Sequence, residues 1–310
     1  MTDSLMQRGD VKALLDKAAG LDNDTGDRRL KQIVRRVLSD AFATIEAFQV
    51  TPTEFWRAVD YVTRLGQSNE AGLLVAGLGL EHFLDILLDE EERKAGLEGG
   101  TPRTIEGPLW LAGAPLAQGE ARLDQDPEPD AETIVMTGQV RDPDGNPVPG
   151  AVVDVWHANT KGGYSFFDSS QSAWNLRRRI RTDGDGRYAF RSIMPVGYGC
   201  PPDGTTQELL DRLGRHGQRP AHIHFFVEAP GYRKLTTQIN IAGDRYLHED
   251  FAFATRDELI VEARRETAPE EIARRGLSGP FSTLTFDFTL NREADHLPET
   301  VVLRAHATAA

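Results

Sequence analysis

His222-Ile223-His224-Phe225-Phe226-Val227 is rich in β-branched and aromatic residues and reads as a β-strand. Leu235-Thr236-Thr237-Gln238-Ile239-Asn240-Ile241 and Phe281-Ser282-Thr283-Leu284-Thr285-Phe286-Asp287-Phe288 follow it with the same character. Upstream, Thr133 to Val140, Ala151-Val152-Val153-Asp154-Val155-Trp156 and Arg187-Tyr188-Ala189-Phe190 complete the set. Asp142-Pro143-Asp144-Gly145-Asn146 and Thr182-Asp183-Gly184-Asp185-Gly186 separate them as turns, with Gly and Asn where positive φ is wanted. Thr205 to Leu213 reads as a short helix between strands, and the residues from about Arg292 as a loosely held tail. Many short strands with frequent turns specify a sandwich.

Before residue 100 the period changes. Leu30, Ile33, Val34, Val37, Leu38, Ala41, Phe42 and Ile45 recur at three- and four-residue steps, which makes one apolar stripe on one helix. Thr51-Pro52-Thr53-Glu54 has the form of a capping box with Pro at the first helical position, ahead of a stripe of Phe55, Val59 and Val62. Leu73 to Leu88, interrupted by Gly77 and Gly79, is expected to start irregularly and become helical near His82. The expected class is α+β. A helical region over residues 1–100 precedes a mainly antiparallel β-sandwich over 101–310. The stripes leave more apolar surface than a thin layer on a sandwich needs, which suggests an interface.

The 310 residues carry 35 Lys+Arg against 48 Asp+Glu, a net charge of −13 that repels phosphate backbones and argues against nucleic acid. No apolar run reaches the roughly 18 residues of a membrane span, and Met1 to Arg8 has no apolar signal core. One cysteine, Cys200, allows no intramolecular disulfide and implies a reducing, cytoplasmic home. It also rules out thiolate-built zinc fingers and iron–sulfur clusters, so any metal must be held by His, Tyr or carboxylate.

Residues two apart on a strand share a face, so His222 and His224 can chelate one metal from a rigid base. The same spacing also fits one half-buried and one exposed histidine on an edge strand. Among six tyrosines, Tyr164 and Tyr198 sit in glycine-rich loops, Lys161-Gly162-Gly163-Tyr164-Ser165 and Pro195-Val196-Gly197-Tyr198-Gly199, where the backbone can come close to a ligand. Either could instead cover a sheet edge. His157 and His216 read as hydrogen-bonding scaffold, His296 and His306 as solvated, and Cys200 as a small packing residue.

Taken in order, the Tyr164 loop, the Tyr198 loop and Arg219-Pro220-Ala221-His222-Ile223-His224 resemble the intradiol ring-cleavage dioxygenases. The resemblance spans nearly the whole chain, including Thr101-Pro102-Arg103-Thr104-Ile105-Glu106-Gly107-Pro108-Leu109, Asp154-Val155-Trp156-His157-Ala158-Asn159 and Leu213 to Gln218. It implies one Fe(III) per subunit held by Tyr164, Tyr198, His222 and His224. The substrate would be catechol, opened with O2 to cis,cis-muconate in aromatic degradation through the β-ketoadipate pathway. Tyr198 would be the ligand that catechol displaces, freed to accept a substrate proton. Arg219 would stabilise charge developing on the ring, helped by Gln238. Leu73, Ala76, Ile105, Pro108, Arg219 and Phe253 would contact the substrate. The resemblance further implies a homodimer formed by the helical region, able to hold a phospholipid. Residues 101–109 look like the branch acting on catechol rather than on chlorocatechol or hydroxyquinol, with Trp110 where relatives often carry Tyr. Gly138 to Val153 and Thr182 to Tyr188 also resemble non-catalytic transthyretin-like binding modules, which would leave the tyrosine loops and Arg219 unexplained.

Overall fold

The computed structural model describes residues 4–304 and 306–308; the first three residues of the stretch read for a signal core, and positions 305, 309 and 310 of the tail, lie outside the described residues. The chain forms two compact units, residues 1–67 and 68–310.

The first unit holds α1 (Gly9–Ala18), α2 (Arg28–Ala47) and α3 (Pro52–Gln67). Asp27 caps α2 by accepting from Leu30 N. The expected capping box starts α3: the Glu54 carboxylate accepts from Thr51 N at 2.8 Å, and Thr51 Oγ1 accepts from Glu54 N at 3.3 Å. The apolar stripes lie open on the single chain, Val37 and Val62 being 61% and 64% exposed.

The second unit begins with α4 (Ala71–Gly77) and α5 (Leu80–Lys94). Helix therefore starts well before His82, the position expected from the sequence. The irregularity is confined to Leu78 and Gly79, where Gly79 adopts φ +75° and the two helices bend by 61°. No single helix among the described residues is long and apolar enough to cross a membrane.

The sandwich then runs through β1 (Leu111–Ala112), β2 (Leu116–Gln118), β3 (Glu120–Arg122), β4 (Thr133–Arg141), β5 (Val152–His157), β6 (Arg177–Arg181), β7 (Arg187–Ile193) and β8 (Tyr198–Gly199). It continues with α6 (Thr205–Arg212), β9 (Gln218–Arg219), β10 (His222–Glu228), β11 (Leu235–Ile241), β12 (Ile260–Val261), β13 (Arg264–Glu266), α7 (Pro269–Arg274), β14 (Phe281–Thr285), β15 (Phe288–Thr289) and β16 (Ala307–Thr308). One sheet has the order β12-β11-β10-β5-β6-β2, the other β13-β14-β4-β7-β3, with β15 beside β4. The long ladders β10–β11, β10–β5, β5–β6 and β4–β7 are antiparallel, while β14–β4 and the short edge strands β2, β3 and β12 join in parallel.

Alternation along β10 decides what each sheet face does. Ile223, Phe225 and Val227 enter the core shared with Met136, Phe190 and Val155, each essentially unexposed. A fully buried side chain of this size contributes roughly 1.5–3 kcal/mol, so the register is firmly set. His222 and His224 are thereby delivered together to the opposite face. The edge-strand alternative does not hold, because β10 is flanked by β11 and β5 and both histidines are buried.

Three further expectations are corrected. The run Phe281 to Phe288 is not one strand; it breaks at Phe286 and Asp287, where Asp287 Oδ1 accepts from Gln139 N at 2.8 Å and interrupts the ladder. The tail is not loose throughout: Ala307 and Thr308 pair in parallel with β1, while Val302 and Leu303 before them are exposed. His306 is not solvated either: its side chain is 22% exposed and bonded to Glu106. His296 is exposed as expected.

Candidate metal centre

Residues from three loops and strands converge on one point. Asn159 closes the loop after β5, its side-chain oxygen accepting from Lys161 N at 3.0 Å and Gly163 N at 2.8 Å, and so presents Tyr164 inward. Tyr198 lies on β8, paired with Arg219 on β9, and the chain then turns into β10. Tyr164 Oη lies 3.3 Å from Tyr198 Oη and 3.3 Å from His222 Nε2. Tyr198 Oη is 3.4 Å from His222 Nε2, which is itself 3.1 Å from His224 Nε2. Tyr164, His222 and His224 are almost fully buried, whereas Tyr198 is half-buried and therefore the member nearest solvent.

The donors fit a single cation. His222 Nδ1 donates to Pro220 O at 2.6 Å, which leaves Nε2 as a lone pair facing the cluster. Burial, with the nearby Arg219 charge, holds His222 down at about 3 and His224 well below the usual histidine range, so both rings are neutral. His222 Nε2 turns its lone pair toward His224 Nε2 at 3.1 Å, close enough for one ion to bind both rings, and His224 Nδ1 has no hydrogen-bond partner. Burial and the neighbouring Tyr198 push the Tyr164 phenol well above its ordinary value, a shift that a bound cation reverses. Donor spacings of 3.1–3.4 Å match atoms bound to one ion at about 2.0–2.2 Å. No group of three or more His, Cys, Asp or Glu side chains among the described residues forms a rival site.

Arg219 stands beside this cluster, 4% exposed. Its Nη1 lies 3.0 Å from His222 Nε2, Nη2 donates to Gln238 Oε1 at 2.7 Å, and Nε and Nη2 donate to Asp250 at 3.2 and 3.1 Å. Burial opposes its charge, but Asp250, with Tyr198 and Tyr164 beside it, more than offsets burial and holds the guanidinium firmly protonated. Gln238 pairs with His224 across β10–β11, so one strand register aligns both. Leu73, Ala76 and Ile105 meet in one apolar cluster with Cys200, Leu210 and Phe251. Phe253 adjoins it through Ala252 but is 41% exposed, under the Arg215 guanidinium, and Pro108 is exposed.

Matches to known proteins follow this geometry. Residues 105–292 match the family described as "Dioxygenase" and residues 27–96 the one described as "Catechol dioxygenase N terminus". The chain belongs to the intradiol dioxygenase family. It is 52% identical over 297 residues to the catechol 1,2-dioxygenase of Acinetobacter baylyi, covering 95% of this chain and 96% of the other. Against catechol 1,2-dioxygenase 2 of Acinetobacter lwoffii it is 60% identical over 260 residues, covering 84% and 94%. The solved catechol 1,2-dioxygenase of Acinetobacter radioresistens superposes with a TM-score of 0.95 at 52% identity, covering all of both chains. A chlorocatechol enzyme of Rhodococcus opacus and a hydroxyquinol enzyme of a Rhizobium species stand further off, at 37% and 33%.

Within this intradiol dioxygenase, sequence reasoning passed over three residues. Asp250, the buried counter-charge of Arg219, carries no local motif; only the need to pair a buried guanidinium points to it. Trp156 stacks on His224 at 5.0 Å and 5°, opposite it across β5–β10. Gly107 lies against His224, where an added Cβ would be 3.9 Å from the ring.

Proposed function

We infer that this chain opens catechol between its two hydroxyl-bearing carbons with O2, giving cis,cis-muconate, at an Fe(III) held by Tyr164, Tyr198, His222 and His224. The observation that carries this reading is the convergence of two phenol oxygens and two imidazole nitrogens at 3.1–3.4 Å beside a buried arginine. Ferric iron held there would supply the hard Lewis-acid chemistry that activates an aromatic diol toward O2. The protein side of the chemistry follows from exposure and charge. Tyr198, the half-buried tyrosine, is the one placed to release and accept a catechol proton at Oη. Arg219 keeps a permanent positive charge where negative charge develops on the ring, and Asp250 and Gln238 fix its orientation. Leu73, Ala76 and Ile105 form an apolar wall that excludes water, with Phe253 and Pro108 at its outer rim.

Catechol is preferred over chlorocatechol and hydroxyquinol because the catechol enzymes are the nearer relatives. A non-catalytic binding module would have no use for the buried donor cluster. The test is the iron-loaded protein with catechol under 18O2: cis,cis-muconate carrying two labelled atoms is expected, and a singly labelled product or none overturns the reading. Tyr164→Phe removes one of the two phenol oxygens and should either lose the iron or sharply lower turnover with a weakened and shifted visible band; retained iron with normal turnover would remove Tyr164 from the donor set.

We further propose that residues 1–100 act as a helical dimerisation region and 101–310 as the catalytic domain. The open stripes of α2 and α3 suit a second copy of this chain, and a phospholipid could occupy apolar space left between the two. The one cysteine is free and buried, which fits a cytoplasmic, reducing home.

A further inference from the structure

The C-terminal tail closes on the segment that borders the metal centre. Glu106 is only 8% exposed, and a carboxylate that deep needs charged or hydrogen-bonding partners. Its Oε1 accepts from Arg304 Nη2 at 2.7 Å and meets His306 Nε2 at 2.9 Å. Arg304 Nη2 also donates to Gly107 O. Further along, the His306 ring stands edge-on to Trp110 at 4.6 Å, and β16 pairs with β1 in parallel. The tail thus grips residues 106–112 at three levels in succession: ion pair, ring and strand.

What it grips is next to the chemistry. Gly107 lies against His224, and Ile105 belongs to the apolar cluster with Leu73 and Ala76. Trp110 Nε1 donates to Asp154 Oδ2 at 3.1 Å, beside the Trp156 that stacks on His224. Arg304 and His306 lie beyond residue 292, where the family match ends.

We propose that Arg304 and His306 are positioning residues: the tail is a strap that holds residues 105–108 as one wall of the substrate pocket and thereby sets the affinity for the catechol ring. This rests on the reading that 105–108 faces substrate. Neither residue touches the donor cluster, so the strap acts on substrate fit and not on metal retention. A loosened wall admits bulkier rings and holds the small one less well.

The experiment uses the iron-loaded full-length protein, Arg304→Ala, His306→Ala and a chain ending at Leu303. For each variant the visible band and iron content are expected unchanged, with KM for catechol raised about fivefold or more and kcat within about twofold of wild type. Discrimination against 4-substituted catechols should relax, and hydrogen exchange of the 105–112 amides should accelerate. Arg304→Lys, which keeps a donor to Glu106, should restore much of the affinity. Unchanged exchange at 105–112 overturns the strap; faster exchange with unchanged KM overturns its role in the pocket; loss of iron and of kcat makes the tail merely structural and also overturns it. Wild-type protein that makes no muconate would instead overturn the intradiol reading itself.

Discussion

Arg219 and Asp250 form a buried pair whose members depend on each other. Burial alone would raise the Asp250 carboxyl, but Arg219 holds it below the usual carboxylate range. Removing one partner leaves the other charge uncompensated, at a cost of about 3–5 kcal/mol in such settings. Asp250→Asn should therefore lower Tm by several degrees and slow turnover, because the guanidinium loses its counter-charge and one of the two acceptor oxygens that orient it near His222. Arg219→Ala should keep the iron band while kcat falls by about 10²–10³, as for loss of one preorganised charge stabiliser. Stopped-flow turnover with parallel absorption spectra checks both, and an unchanged kcat in Arg219→Ala would remove it from the catalytic set.

Elements place these residues through close backbone approach and a tie between the two sheets. Gly162 has φ +80°, and a Cβ there would sit 2.7 Å from Tyr198 Cβ. The glycine in that loop lets one tyrosine loop seat on the other. Gly162→Ala should push Tyr198 away and shift or bleach the visible band even where the fold survives; an unaltered spectrum would contradict this. His157 at the end of β5 bonds Ala158 O and Ser192 Oγ of β7, each at 2.7 Å, joining the sheets. Burial lowers its pKa to about 4 from 6.5. The unfolded chain takes up this proton below about 6.5 while the native state refuses it until about 4, so stability is full above pH 6.5 and falls as pH drops. The loss from His157 alone is about 3 kcal/mol. Calorimetry should show Tm decreasing steadily from pH 6.5 to 4.5, and a flat profile would show that His157 is protonated in the native state.

For the whole molecule, the question is what covers the α2 and α3 stripes. Leu30, Val37, Trp56 and Val62 are each more than half exposed in the single chain, a concentration of apolar surface that monomers rarely carry. Sedimentation should give a dimer, and Val37→Asp should shift it toward monomer while the iron band persists. A wild-type monomer at micromolar concentration would refute the interface. Organic extraction and mass spectrometry would reveal any lipid held there.

Resemblance to the intradiol dioxygenases, and not local pattern, brought Tyr164, Tyr198, His222 and His224 together as candidate donors. The sequence by itself determined the α+β order, most strand positions and the capping box at Thr51, which are local matters set by period and turn chemistry. It could not reveal Asp250, Trp156 and Gly107, because each acts through a partner distant along the chain, as Asp250 does on Arg219. It also misjudged the tail, whose composition has no period; what holds His306 is a buried carboxylate 200 positions away, and the β16 pairing lies equally far from its partner strand. Local propensity writes elements into sequence, whereas burial of charge creates its demand for partners only once the sheets have closed. That demand, and not any motif, decided how Arg219 is held and where His306 docks.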